Sequence, residues 1–264
     1  MANTVYENFV LENKLAELLK TKIDLNSYMT IDGQLTEEPG MKKVINTYTA
    51  TSGVEELDMG EGNTKDIEVS FTSSEYTVKT YQGRFVYYDE QAMTDPMVVD
   101  TGLEGVVKDM INQFTTLAIG EFDKATLAQT GTAWNFDVVV DAIAKMNLED
   151  ETGLFLLISP ADLANFRKTL KDDLKYSEGF VRTGYIGHVA GVPVITTKAV
   201  AAGKGYLATK EAVSVFLKKD TEIEQDRDPD KRKNLVWGRK VAVVALTDAT
   251  KVVKISITAP TVGG

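Results

Sequence analysis

The sequence predicts an α+β fold dominated by one long helix and one projecting β-hairpin. Three observations carry that prediction. Residues 41–90 alternate apolar and polar side chains as half-exposed strands do. Residues 101–129 repeat apolar side chains at three- and four-residue steps, and residues after Gly131 alternate helical text with short apolar runs. At 43% apolar and 26% charged over 264 residues, the chain has the balance of a soluble, well-cored protein of one large or two small domains.

Val5, Tyr6, Phe9, Val10, Leu15, Leu18 and Leu19 fall mostly at helical spacing and predict a short amphipathic helix over 5–20. The text that follows, DLNSYMTIDGQLTEEPG, loses this period and reads as an extended arm. Strand text then begins in KKVINTYTATSG and DIEVSFTSSEYTVKTYQGRFVYYDE, where Ile67, Val69 and Phe71, and later Phe85 and Tyr87, alternate with polar neighbours. Between the two lies GVEELDMGEGNTKD, acidic, with three glycines and little to bury. A long two-stranded excursion with an acidic tip fits this pattern. Such a hairpin is marginal in water on its own, so it needs a surface to rest on, another subunit being one candidate.

Leu103, Val106, Val107, Met110, Ile111, Phe114, Leu117, Ala118, Phe122 and Ala125 predict the long helix, with Asp100 and Thr101 offering the N-cap and TGT at 130–132 the stop. At 1.5 Å per residue it would span about 40 Å, the length of a spine. Beyond it, 136–146 is helical text and GLFLLISP a strand buried on both faces. SPADLANFRKTLKDD opens a helix with Ser159 as N-cap, Pro160 at the first position and Asp162 in the first turn. HVAGVPVITTKAV and GYLATKEAVSVFLKK supply further strands, the charged run DTEIEQDRDPDKRKN interrupts them, and LVWGRKVAVVALTD and KVVKISITA read as a closing pair around Asp248.

Charge and motifs exclude most chemistries. The formal net charge of −10 repels phosphate backbones, which argues against a dedicated nucleic-acid binder but suits the wall of a container. The absence of cysteine removes disulfides, thiolate zinc sites and thiol nucleophiles, and fits a reducing cytoplasm. MANTVYENFVLENK has no basic leader, so no signal peptide is expected, and no apolar run reaches the roughly 20 residues that cross a bilayer. His188, the one histidine, has no GxSxG or HExxH pattern beside it and reads as a strand-edge residue ahead of a Gly191-Val192-Pro193 turn. Asp226, Asp228 and Asp230 begin like a calcium loop, but Lys231 and Trp237 stand where that loop needs Gly and Glu. MGEGNTK and AGKGYLATK match neither phosphate-binding glycine motif and read as turns. Glu55, Glu56, Asp58, Glu61, Asp66 and Glu68 sit in polar text unsuited to acid catalysis, and read either as a face for a basic partner or as plain solvated charge. No catalytic, cofactor or metal residue emerges.

What stands out is architecture, and its order resembles the tailed-phage major capsid proteins of the Hong Kong 97 type. TYQGRFVYYDEQAMTDPMVVDTGLEGVVKDMINQFTTLAIGEFDKATL resembles that family's extended-loop return into its spine helix. GHVAGVPVITTKAVAAGKGYLATKEAV resembles its axial-domain strands, and the likeness runs in order along the whole chain. The resemblance implies an N-terminal arm at 1–40, an extended β-hairpin loop at 41–85, a peripheral domain with the spine helix at 86–131 and 225–264, and an axial α/β domain at 132–224. It implies a non-enzymatic subunit that assembles with itself, as hexamers and pentamers, into an icosahedral virion shell enclosing double-stranded DNA without specific contacts. Assembly in the bacterial host cytoplasm, a separate scaffolding protein, a portal and no membrane partner are further expectations. An encapsulin-type nanocompartment holding a cargo enzyme shares the fold and remains the alternative. The acidic tip, with Glu55, Glu56, Asp58 and Glu61, is expected to meet a cationic surface on a neighbour, with Arg84 or the Lys231, Arg232, Lys233 cluster as candidates.

Overall fold

The computed structural model describes residues 29–36, 39–95, 97–170 and 187–258, and the helix expected over 5–20 lies outside them. Three sheets organise these residues. A four-stranded sheet has the order β1 (Thr30–Asp32), β10 (Val213–Asp228), β11 (Lys233–Leu246), β4 (Lys79–Tyr88). A six-stranded sheet has the order β5 (Leu127–Gly131), β12 (Val252–Ile257), β9 (Lys204–Thr209), β6 (Leu154–Ile158), β8 (Val192–Thr196), β7 (His188–Val189). The third is a two-stranded ribbon of β2 (Lys42–Ala50) and β3 (Val69–Thr77), paired in register from Lys42 opposite Thr77 to Ala50 opposite Val69. At about 3.3 Å per residue the ribbon is about 30 Å long.

The helices fill the layers between. A short α1 (Asp89–Thr94) leads into the spine helix α2 (Met97–Phe122), with the Asp95 carboxylate accepting the Met97 N–H at 2.9 Å. The helix therefore starts four residues before the expected Asp100–Thr101 cap, which lies inside its first turns. It also stops at Phe122 rather than near 129, the chain tightening through Lys124 N–H to Glu121 and Ala125 N–H to Phe122. Residues 127–131 instead pair in parallel with β12, a long-range pairing that local spacing does not encode.

The N-terminal half of α2 packs Val99, Leu103 and Val107 against Ile223 and Val236 of the four-stranded sheet. Its C-terminal half carries Phe114, Ala118, Ile119 and Phe122 into a core shared with both larger sheets, through Phe155, Tyr206, Val215 and Val244. Two of the three glycines of this helix, Gly102 and Gly105, have opposite surroundings. A Cβ on Gly105 meets nothing within 4 Å, whereas one on Gly102 would overlap the Phe85 ring of β4. Gly105→Ala is therefore expected to raise subunit stability by about 1 kcal/mol. Gly102→Ala is expected to lower it by about 1–3 kcal/mol through overpacking. Urea-unfolding midpoints check the signs; equal shifts would contradict the close approach of α2 to β4.

Strand β6 reads LFLLI because both of its faces are covered. Phe155 and Leu157 face the spine, while Leu154, Leu156 and Ile158 face α3 (Phe136–Met146) and α4 (Pro160–Thr169). Both helices are capped by side chains, α4 at the expected Ser159 and α3 at Asn135, a cap not expected from the sequence reading. Asn135 accepts from Val138 N–H at 3.0 Å, and Ser159 from Asp162 N–H at 3.1 Å ahead of Pro160.

Sheet membership cuts across the boundaries expected at 85, 131 and 224. β4 leaves the hairpin text and pairs with β11, β5 and β12 join the six-stranded sheet, and the first half of β10 belongs to the four-stranded one. Residues 30–32 of the expected arm pair in parallel with β10. The charged run is no interruption either. It is the outer half of β10, whose carboxylates meet β11 cations across the ladder: Glu222 and Glu224 with Arg239, Asp220 with Lys240 at 3.0 Å. Nor do β11 and β12 pair around Asp248; they lie in different sheets, and Asp248 instead caps the 3-10 turn Ala249–Lys251 by accepting from Thr250 N–H at 2.9 Å.

Candidate assembly interface

The ribbon is anchored at its base. Ile45 and Tyr76 pack against a small core of Leu35, Val78, Phe216, Val243 and Ala245. The Lys43 ammonium lies 4.8 Å from the Phe216 ring centre and that of Lys124 lies 5.4 Å from the Tyr76 ring centre. Val78 N–H donates to Met41 O at 2.8 Å, closing the base of the ribbon.

Beyond Ala50 and Val69 the tip is a closed loop. The Glu55 carboxylate accepts from Thr64 N–H at 2.8 Å and from the Thr64 hydroxyl at 2.7 Å, with Lys65 Nζ at 3.6 Å. Those hydrogen bonds, the Thr64 backbone one foremost, hold the Glu55 carboxyl below its usual range. Glu55, expected to face a partner, is thus the clasp of its own loop. Glu56, Asp58 and Glu61 are exposed and make no ion pair among the described residues. Val54 and Met59 stand in solvent beside them.

The basic candidates lie at a different corner of the molecule. Lys231 and Arg232 form the β10–β11 turn, Lys233 opens β11, and Arg84 sits on β4 opposite Trp237, four residues along that strand from Tyr88, the partner of Lys233. Aspartates shape this turn. Asp228 Oδ1 accepts from Asp230 and Lys231 N–H at 3.1 and 3.3 Å, and Asp226 from Arg227 N–H at 2.8 Å, which accounts for the alternate aspartates that begin like a calcium loop. Asp89 ties the turn to α1: its carboxylate accepts from Asn234 and Arg227, each at 2.7 Å, and these bonds hold it below its usual range. Arg232 has φ +49° and reaches Glu90 at 3.2 Å. Arg232 is therefore partly engaged within the chain, while Lys231 and Lys233 have no ion pair among the described residues. No ion pair among those residues joins tip to cluster.

His188 lies exposed on β7 opposite Pro193. The turn beside it is Ala190–Gly191, at φ +50° and +80°, one residue ahead of the expected position, and Pro193 is inside β8. Among the described residues no three His, Cys, Asp or Glu side chains gather as a metal site, and no helix is long and apolar enough to cross a membrane. A polar cluster at the end of the spine helix is structural. Asp123, just past the end of α2, accepts from Tyr206 at 2.9 Å and from Lys204 at 3.0 Å, while Lys254 donates to its carbonyl at 3.3 Å. Burial pushes the Asp123 carboxyl up, and the Lys204 and Tyr206 bonds with the Lys204 and Lys254 charges outweigh it, leaving it below its usual range. Burial and the Asp123 charge push the Tyr206 hydroxyl upward. This clamp fixes the end of the spine helix to the six-stranded sheet.

A projecting ribbon, a spine helix across a four-stranded sheet and an appended α/β unit are thus what distinguishes the described residues. A family model described as phage capsid protein matches residues 71–255. The chain belongs to that family. The major capsid protein of Staphylococcus phage phiMR11 is 23% identical over 254 residues, spanning 94% of this chain and 92% of its own length. Among solved structures, the mature capsid of bacteriophage PhiM1 superposes with a TM-score of 0.69 at 14% identity, over 88% of this chain and 86% of that one. The encapsulin of the holo-SrpI complex from Synechococcus elongatus PCC 7942 gives 0.65 at 11% identity, over 93% and 91%. Capsid and encapsulin share this fold, which is the Hong Kong 97 type, while the family match and the phiMR11 relative place this chain with the phage capsids.

Sequence reasoning missed two surface features of this capsid chain. One is the uncovered aromatic pair Tyr48 and Phe71, directly opposed on the ribbon with rings 6.1 Å apart. Their like positions in the alternation of the two strands were the available signal. The other is the exposure of Met93 in α1 and Met97 at the start of α2, which no periodic pattern marks.

Proposed function

We propose that copies of this capsid chain close as hexamers and pentamers into an icosahedral shell around double-stranded phage DNA, with assembly in the host cytoplasm on a separate scaffolding protein and a portal. The observation that carries this reading is the ribbon: nine of its large apolar side chains from Met41 to Phe71 are exposed in the single subunit, more than solvent-facing strands retain without a partner. A projection that buries itself on the next copy makes a heterologous contact, which closes into rings. A net charge of −10 suits enclosure of DNA without binding it. In this reading the four-stranded sheet with the spine helix is the peripheral unit, and the six-stranded sheet with α3 and α4 the axial one. Contact between neighbours pairs Glu56, Asp58 and Glu61 of the tip with Lys231, Lys233 or Arg84 of the next copy.

Electron microscopy of the protein co-expressed with its scaffold, followed by analysis of nuclease-protected contents after packaging, tests the reading. Closed shells of uniform diameter that fill with DNA are expected; a stable monomer, or shells that hold only a cargo enzyme, would overturn it. Glu56→Lys with Asp58→Lys is expected to cut shell yield about ten-fold while leaving the unfolding midpoint of the subunit unchanged, because neither carboxylate has an ion-pair partner among the described residues. Full yield from that variant would sink the tip contact. Glu55→Lys, by contrast, should loosen the tip loop itself.

A further inference from the structure

We propose that one rung of the ribbon, Lys43 with Tyr76, sets the angle at which the ribbon leaves the body, and that this angle decides whether assembled copies close into shells of one size. This rests on the shell reading above and adds which side chains aim the ribbon within its own subunit.

Lys43 and Tyr76 lie directly opposite each other, so both stand on one face of the ribbon, the face that carries Ile45 and meets the body. Two parts of the body hold this rung. The Lys43 ammonium lies 4.8 Å from the ring centre of Phe216 on β10. Lys124, two residues past the end of the spine helix, places its ammonium 5.4 Å from the Tyr76 ring centre. Glu121, in the last turn of that helix, keeps Lys124 there, its Oε1 accepting from Lys124 Nζ at 2.6 Å. The second Glu121 oxygen is buried without a hydrogen-bond partner among the described residues, a cost that an ordinary surface ion pair does not carry. The Tyr76 hydroxyl adds a backbone hydrogen bond with Leu246 at the end of β11. Burial, and after it the Glu121 charge, push that hydroxyl above its ordinary range against the Lys124 charge, so phenol, carboxylate and ammonium share one site.

The rung lies one pair beyond a joint. Val78 separates β3, which pairs with β2, from β4, which pairs with β11, so the ladder changes partner there. On the other strand Gly40 has φ +111°, and a Cβ on it would meet nothing within 4 Å. Past that joint the ribbon is a lever. It extends about 30 Å, so a turn of about 10° at its base moves its far end by about 5 Å, more than the reach of a side-chain contact. Heterologous contacts form rings only when the rotation from copy to copy closes, and otherwise run on as open assemblies. A ribbon released from its rung still meets a neighbour, but closure and uniform size are lost.

The chain has no cysteine, so two introduced labels report the angle. Spin labels at Thr49→Cys on the ribbon and Gln113→Cys on the spine helix, both exposed positions, give a distance distribution by double electron–electron resonance in the unassembled subunit. A narrow distribution is expected for this background, for Tyr76→Phe, which keeps the ring, and for Glu75→Gln on the opposite face. Tyr76→Ala and Lys43→Ala are each expected to widen it at least about two-fold. In assembly with scaffold, the same two variants should lower the fraction of closed, uniform particles about ten-fold, while total assembled protein stays within about two-fold of wild type, read by electron microscopy and sedimentation. Unfolding midpoints identify any variant that fails to fold; Lys43→Ala, whose side chain is partly in solvent, decides the matter if Tyr76→Ala does fail. An unchanged distribution in either folded variant overturns the grip, and uniform shells from a variant with a widened distribution overturn its role in closure. If the wild-type protein forms no shells, the shell reading fails instead, while the distance distribution still decides the grip.

Discussion

Phe122→Ala is expected to lower the stability of the unassembled subunit by about 3–5 kcal/mol. Phe122 is the last residue of the spine helix and 1% exposed. Its ring stacks on Tyr206 at 5.8 Å and meets the edge of Phe155 at 6.3 Å. Those contacts join the helix to the six-stranded sheet, in a core that also takes Val215 and Val244 from the four-stranded one. An alanine there removes transfer energy and leaves a cavity that two sheets cannot both collapse to fill. The melting temperature should fall by roughly 10 °C, at 2–4 °C per kcal/mol for a subunit of this size. Phe122→Leu, which keeps most of the volume, should cost well under half as much. A loss below about 1 kcal/mol for the alanine variant would contradict the placement of this ring between the sheets.

Asp162→Ala is the second large effect. Asp162 is 4% exposed at the start of α4, and its carboxylate accepts from the Ser159 hydroxyl at 2.7 Å and from Gly203 N–H at 3.0 Å. Gly203 has φ +80° and opens the turn into β9, so this one side chain joins the helix start to a turn 41 residues away. Alanine strands a part-buried amide and a buried hydroxyl and is expected to cost about 2–4 kcal/mol. Asp162→Asn keeps an acceptor oxygen and should recover at least half. Urea midpoints of the unassembled subunits decide it, and equal losses for Ala and Asn would contradict the hydrogen-bonding role.

How much of this was legible depended on how local each signal was. Strand β6 and helices α3 and α4 declare themselves: five consecutive buried apolar residues, helical text over 136–146, and Ser159 followed by Pro160. The spine helix was legible as an element and misplaced at both ends. Asp100 resembles a cap as well as Asp95 does, and the pairing of 127–131 with β12 lies more than a hundred residues away in sequence. The outer half of β10 was hidden because Glu222, Glu224 and Asp226 look like loop text until Arg239 and its strand are laid beside them. At the interface, the acid of the tip was readable and its division of labour was not. Glu55 differs from Glu56 only in that Thr64 folds back onto it. Likewise the apolar face of the ribbon needs the register, since Tyr48 and Phe71 stand 23 positions apart in the chain and side by side on one face.

Hydrogen exchange tests directly the proposal that neighbouring copies cover the subunit's ribbon. Amides of Lys42–Ala50 and Val69–Thr77 are to be compared in unassembled subunits and in purified particles, with β6 as an internal reference. In the free subunit the ribbon, two-stranded among the described residues, should exchange far faster than β6; in particles it should slow by about ten-fold or more. Equal exchange of the ribbon in both states would contradict the burial of this surface by a second copy.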